Sequence, residues 1–361
     1  MKVDVAVVGG GALGLSIAYN VAKRGLKTMV FEANYLGFGS TGRDIGLVRE
    51  RVVDDVAKLA LMGLKMHDKL PDKLGVNTLF RRSGCLIVAL EEEEAKALEE
   101  KYKAYKRMGV QCDPLRLEEV KKRFPYVNVE RLKACYYDKR EGLVHPLALL
   151  WAYFEAFKKV GGALRKQAKV KSLKVEGGSF RVATDAETVE ARKVVIAAGV
   201  YSSELAKQVG LTVPVEPLAR EALVTEPMKP FLGPVIERPS NGFLLGQTMR
   251  GEFIGTIGSL GRSYDLSLSS YSFLKEFSRQ AVEIVPALSG LKILRQWTWI
   301  CDTTPDGKPL IGETSVNGLY LACGCHDYGL SIIPAIGELL GRLIVGGEVD
   351  PLIKPFSPAR F

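Results

Sequence analysis

Gly9, Gly11 and Gly14 stand at a Gly-x-Gly-x-x-Gly spacing, and Glu32 lies 18 residues beyond the last of them. That set can hold a dinucleotide. Gly9 allows a tight turn, Gly11 lets backbone N–H groups approach a pyrophosphate, and Gly14 lets a helix pack closely on the strand before it. The helix N-terminus faces the phosphates, and a carboxylate at the end of the next strand accepts from ribose hydroxyls. A glycine spacing alone is a weak signal. Here Val3–Val8 reads as a short apolar strand, Leu13–Arg24 as a helix ended by Gly25, and Thr28–Phe31 as a second strand closed by Glu32.

The segment after Glu32 selects among dinucleotides. Gly37–Arg49 is rich in glycine and hydroxyls, where a simple NAD domain would continue its alternation of strand and helix. Such a loop suits wrapping a larger cofactor, FAD, with Ser40 and Thr41 offering hydroxyls to phosphate.

The rest of the chain bounds what must carry these residues. Its 361 residues are 47% hydrophobic and 25% charged, enough for two domains or one large interwoven unit. This composition excludes a disordered chain and a disulfide scaffold. The net charge is +9, but basic and acidic residues interleave and the longest run of like charge is acidic, Glu91–Glu94. No nucleic-acid partner is expected. Only 6 Asn and 6 Gln stand beside abundant Lys, Arg and Glu, a thermophile pattern. The 6 Cys show no CxxC pair and no companion His ladder, so no metal site is expected. The apolar stretch from Lys2 to Ala22 is broken by Asp4 and Gly9-Gly10-Gly11, which suits strand–turn–helix better than a signal peptide or membrane span. A cytoplasmic location is expected, with peripheral membrane contact left open.

Several further segments, in order, resemble the D-amino-acid oxidase family of FAD flavoproteins, nearest in pattern to sarcosine oxidase, glycine oxidase and archaeal dye-linked proline dehydrogenase catalytic subunits. They are Ala57–Leu70, Glu141–Pro146 with His145 in place of the family acid, Lys193–Gly199, Thr304–Gly307 and Leu319–Leu339. The resemblance implies an α/β fold. A Rossmann-type FAD-binding domain, from residues 1–82, 143–216 and 304–361, carries an inserted α+β substrate domain of mixed or antiparallel sheet, from residues 83–142 and 217–303. Glu91–Met108 reads as a solvated helix with Ala95, Leu98, Tyr102 and Tyr105 on its apolar face. Val213–Pro217, Ala222–Thr225 and Phe243–Gly255 read as strands.

The cofactor contacts implied are Gly9, Gly11, Ala12, Leu13, Gly14, Glu32, Ala33, Ser40, Thr41, Arg43, Gly46, Leu47, Val170, Ala198, Gly199, Gly324, Gly329, Leu330 and Ser331. The chemistry implied is oxidation of the C–N bond of a small amino or imino acid, such as proline, sarcosine or glycine, by hydride transfer to flavin N5. Arg49 falls where sarcosine oxidase has its substrate-carboxylate arginine; Arg51, Arg220, Arg250 and Arg295 are weaker candidates. In the C-terminal motif Tyr328 replaces the family histidine and offers a hydroxyl to flavin or substrate, Ser331 replaces a lysine, and Pro334 is expected to open a helix Ala335–Val345. Trp299 occupies the place of the cysteine that carries covalent flavin in sarcosine oxidase, with Cys301 two residues off, so FAD is expected to be non-covalent. Trp297 and Trp299 are expected to wall the substrate pocket.

Phe253 is aligned with an oxygen-promoting lysine, which favours a dehydrogenase passing electrons to a quinone, a dye-like acceptor or a partner flavoprotein or iron–sulfur subunit. Homo- and hetero-oligomers both remain open. Two alternatives accompany this reading: a flavoprotein oxidising a 2-hydroxy acid or glycerol 3-phosphate, and a non-catalytic FAD-bearing electron-transfer or assembly subunit.

Overall fold

The structure is a computed structural model that describes residues 1–52 and 55–361. Five parallel strands form the middle of its first sheet, in the order Leu319–Cys323, Thr188–Ile196, Lys2–Val8, Thr28–Phe31, Ala163–Arg165. Leu310–Glu313 adds an antiparallel edge beside Leu319–Cys323. The hairpin Ser172–Glu176/Ser179–Ala183 pairs with the first half of Thr188–Ile196. Val5, Ala6 and Val7 are fully buried, as expected for a parallel strand covered on both faces.

Helix Ala12–Ala22 packs on one face of this sheet and against helix Gly329–Gly346. A Cβ on Gly337 would come within 1.9 Å of Ser16 Oγ, so glycine there permits the close approach of the two helices. Helix Gly329–Gly346 is long and apolar enough to cross a membrane, but 72% of its most apolar window is buried inside the protein, which marks a core helix.

That helix corrects one expectation. It begins at Gly329 rather than at Ala335, and Pro334 lies inside it. Proline has no N–H to give the Leu330 carbonyl one turn back. Instead, His67 Nε2 lies 2.8 Å from that oxygen. Burial lowers the His67 pKa to about 4, so the ring is neutral and its Nε2–H can donate. The break in the helix ladder is thereby satisfied from helix Val56–His67.

The second sheet is mostly antiparallel, in the order Ile293–Thr303, Glu216–Pro227, Glu252–Thr256, Phe243–Gln247, Val235–Arg238, Cys85–Ala89, Ala134–Asp138, Asp113–Pro114, with one parallel contact between Val235–Arg238 and Cys85–Ala89. Its side chains alternate between two cores. Leu86 and Val88 join Phe243, Phe253, Phe273 and Phe277 on the outer side, under helix Tyr271–Ile284. Cys85, Ile87 and Ala89 face the inner core shared with the first sheet's helices. Phe243–Gly255, read from sequence as strand throughout, contains the turn Thr248–Gly251. Helix Glu92–Arg107 has a capping box between Glu91 and Glu94 and carries Leu98 on its buried side. His145, in the place of the family acid, caps helix Pro146–Lys159 by accepting from Ala148 N at 3.3 Å.

Candidate functional site

Two groups of residues meet where the sheets adjoin. The first lies at the C-terminal ends of strands Lys2–Val8, Thr28–Phe31 and Thr188–Ile196, the usual crevice of an open parallel sheet. Gly9 has φ +115°, and a Cβ on it would stand 2.2 Å from the Ala197 carbonyl oxygen. A Cβ on Gly14 would stand 2.0 Å from Gly9 O. Only glycine fits either place. Gly11 differs: a Cβ there would meet only Thr41 Oγ1, at 3.4 Å, so its backbone borders open space at the start of helix Ala12–Ala22. The first-turn N–H groups of that helix lack partners within the helix and form an anion site.

Around this turn the structure assembles much of the expected set. Thr41 Oγ1 accepts from Ala12 N at 3.2 Å. Glu32 accepts from Gly10 N and Asn34 N, both at 2.9 Å, and Ala33 beside it is exposed. Ala168 N donates to Glu32 O at 2.8 Å, which brings the Val170 segment alongside. Ala198 and Gly199 follow Ala197 on the other side of Gly9. Ser40 is placed differently: its hydroxyl donates to Ile300 O at 2.5 Å, away from the glycine turn. Arg43 donates to Phe38 O at 3.0 Å and its own carbonyl accepts from Trp297 Nε1 at 2.8 Å. A dinucleotide fits this crevice, because its backbone donors, small residues and ribose-side carboxylate converge on one open edge.

The second group is a cluster of ions. Gly46, with φ +92°, and Leu47, paired with Leu143, lead the chain from the loop to Arg49. Ser331 Oγ accepts from Arg49 N at 2.9 Å, so Ser331 positions the arginine backbone rather than replacing a lysine's charge. The Arg49 guanidinium is paired at both ends, to Glu237 Oε1 and to Asp327 Oδ1, each at 2.9 Å. Arg220 Nη1 reaches the other Asp327 oxygen at 2.8 Å, with its guanidinium 5.7 Å from the Trp299 ring centroid. Behind them Arg51 bonds Glu141 and Glu237, each at 2.6 Å. Cys85, Glu141 and Glu237 lie close enough together to suggest a metal, but the Arg51 guanidinium already fills the cation's place between the two carboxylates.

Burial alone would raise the Asp327 pKa, but Arg49 and Arg220 outweigh it and hold the carboxyl at about 2. Burial would lower Arg49's pKa, and Asp327 and Glu237 reverse that, so the guanidinium stays charged. Asp44 behaves oppositely. Burial pushes its carboxyl up to about 7, against the lowering pull of the Gly46 N–H at 2.8 Å.

Two expectations need correction here. Tyr328 is buried and donates its hydroxyl to Gly307 O at 2.5 Å, so that hydroxyl is already committed. Phe253 points into the outer core, 5.6 Å from the Phe231 ring, while its neighbour Ile254 faces the inner side. Gly324, with φ +72°, and Gly329, which begins the core helix, flank the turn that carries Asp327. Asp327 and Glu237 were missed. Glu237 carries no local signal, since it reaches the arginines across folded distance. Asp327 stands next to Tyr328 in the C-terminal motif, but its charge gave no sign of which cations it would meet.

A sequence profile described as FAD dependent oxidoreductase matches residues 4–343. The chain is 29% identical to sarcosine oxidase subunit beta of Rhodobacter capsulatus, over 100% of this chain and 89% of that protein. L-proline dehydrogenase from P. horikoshii superposes with a TM-score of 0.93 at 29% identity, covering 100% of this chain and 98% of that one. Glycine oxidase from Geobacillus kaustophilus does so with a TM-score of 0.93 at 25% identity, covering 100% and 99%. The chain belongs to the FAD-dependent oxidoreductase family, and its fold is that of these flavoproteins.

Proposed function

We propose that this member of the FAD-dependent oxidoreductase family oxidises the C–N bond of a small amino or imino acid of the sarcosine, glycine or proline type, as a dehydrogenase. The observation that carries the reading is the convergence of two guanidinium groups, Arg49 and Arg220, at 11% and 10% side-chain exposure, beside the turn at residues 324–329. Two buried arginines suit a substrate carboxylate.

In this reading the first sheet and its helices hold FAD without a covalent bond, through the glycine turn, Thr41, Glu32, Val170, Ala198–Gly199, Gly324 and Leu330. FAD, when bound, supplies the hydride acceptor. The chain's own residues do the rest. Arg49 and Arg220 orient the carboxylate, Ser331 and Trp299 hold those arginines in place, and the inner core excludes water. No general base is needed if the amine reacts in its neutral form.

A dehydrogenase is favoured because Gly251-Glu252-Phe253-Ile254-Gly255 carries no lysine on either face of its strand, so that strand offers no cation to promote reaction with oxygen. The relatives named as subunit beta support a partner subunit for this chain as well.

The test is anaerobic bleaching of the flavin by a panel of proline, sarcosine, glycine and 2-hydroxy acids. Proline, sarcosine or glycine should bleach it, with the flavin released as FAD on acid denaturation. Bleaching by hydroxy acids alone would overturn the reading. Colour left on the peptide after denaturation would overturn non-covalent binding.

A further inference from the structure

Asp327 does to the two arginines what a substrate carboxylate would do. One of its oxygens lies 2.9 Å from Arg49 Nη2 and the other 2.8 Å from Arg220 Nη1. Its side chain is 29% exposed, against 11% for Arg49, 10% for Arg220 and 9% for Glu237, so it is the member of the cluster nearest to solvent. The turn beneath it is tied down by other bonds. Gly324 N donates to Asp302, Thr304 N donates to His326 Nε2 at 3.2 Å, and the Tyr328 hydroxyl is bound to Gly307 O. Among the described residues only the arginines hold the Asp327 side chain, so its rotation would leave the bonds of the turn in place. Both arginines also keep a buried Nε with no hydrogen-bond partner among the described residues, a donor left over for a ligand.

We infer that Asp327 is a resident carboxylate occupying the docking place of the substrate carboxylate, and that substrate enters by exchanging with it. The incoming carboxylate takes Arg49 and Arg220, and the released Asp327 takes the incoming ammonium, which gives up one proton to solvent before the amine reacts in its neutral form. This rests on reading the cluster as an amino-acid site. The exchange conserves charge only for a zwitterion. A 2-hydroxy acid brings a carboxylate but no cation, so it would leave Asp327 charged and unpaired in a water-poor site. Asp327 therefore selects amino acids over hydroxy acids of the same shape.

Two probes that cannot be oxidised at the α-carbon test this on the FAD-loaded protein: 2-aminoisobutyrate and 2-hydroxyisobutyrate, titrated by calorimetry. Wild type should bind the amino probe at least about tenfold more tightly. In Asp327→Asn the hydroxy probe should gain about tenfold and the preference should collapse toward unity, because the resident charge is gone. Asp327→Glu should keep the preference. If Asp327→Asn loses FAD, Asp327→Gly, which removes the charge with the side chain, serves in its place. An unchanged preference in the Asn or Gly variant, or no binding of either probe to wild type and variant alike, overturns the inference. Bleaching by proline, sarcosine or glycine together with an unchanged preference sinks only the exchange. No bleaching by any of them sinks the amino-acid reading itself, whatever the probes do.

Discussion

The glycine crevice and the arginine cluster both suit anions, but they are made of different atoms. The crevice is backbone: peptide N–H groups at a helix start, held open by residues that lack side chains. The cluster is side chain: Arg49, Arg51 and Arg220 interleaved with Glu141, Glu237 and Asp327, drawn from five separate stretches of chain. A backbone site depends on local spacing, so its failure is all or none. A side-chain site depends on pairing, so each member can be altered with graded effect, and its chemistry is set by what its partners leave free.

The largest effect should fall on the crevice. Gly14→Ala places a methyl 2.0 Å from Gly9 O and forces strand and helix apart. The variant should purify with less than about a tenth of the wild-type flavin, read from the absorbance ratio of flavin to protein. Normal flavin content would show that the turn is not the holding element.

Arg49→Ala should separate the two regions. It removes the partner of two carboxylates, which costs about 3–5 kcal/mol of stability when such a pair is buried. It should also lower efficiency on the best amino-acid substrate by roughly 30- to several-thousand-fold. Flavin content should hold. Arg49→Lys should recover only part, because an ammonium cannot serve both carboxylates in one plane. Steady-state kinetics beside a thermal melt checks this; wild-type efficiency in Arg49→Ala would remove Arg49 from the substrate site.

A smaller effect is expected from pH. Asp327, with its pKa near 2, stays ionised throughout the neutral range, whereas Asp44, raised to about 7, is neutral at pH 6 and charged at pH 8. Ionising Asp44 adds a negative charge facing Asp327, Arg49 and Arg220. Acetate, which does not titrate in this window, should bind the FAD-loaded protein roughly tenfold more weakly at pH 8 than at pH 6. Asp44→Asn should flatten that profile. A flat wild-type profile would place Asp44 outside the cluster's field.

The smallest effect should come from Cys301→Ser. Cys301 is buried on strand Ile293–Thr303 and is paired in register with Leu218. Its flavin content and activity should stay within about twofold of wild type. Complete loss of flavin would mean that the cysteine carries it.

Legibility followed the same division. Strand Lys2–Val8, the glycine turn, helix Ala12–Ala22 and strand Thr28–Phe31 were readable because their signals lie within about 30 residues and follow from backbone geometry. The start of helix Gly329–Gly346 was misread. Pro334 is a local stop signal, and it is overridden by His67, some 260 residues earlier in the chain, at the freed carbonyl. Phe253 was expected near the flavin but faces the outer core, because alternation fixes which residues share a face and only the packed sheets decide which face is inside.

By itself the sequence determined the dinucleotide turn, a matter of residue type at short spacing, and the class of fold, and it singled out Arg49 as a candidate. Only the tertiary structure decided what Arg49 meets. Glu237 and Asp327 lie 188 and 278 residues away from it. Charges so far apart in the chain are independent until folding strips them of water, and then they must pair or lose their charge. The partner each one finds is a property of the packed sheets.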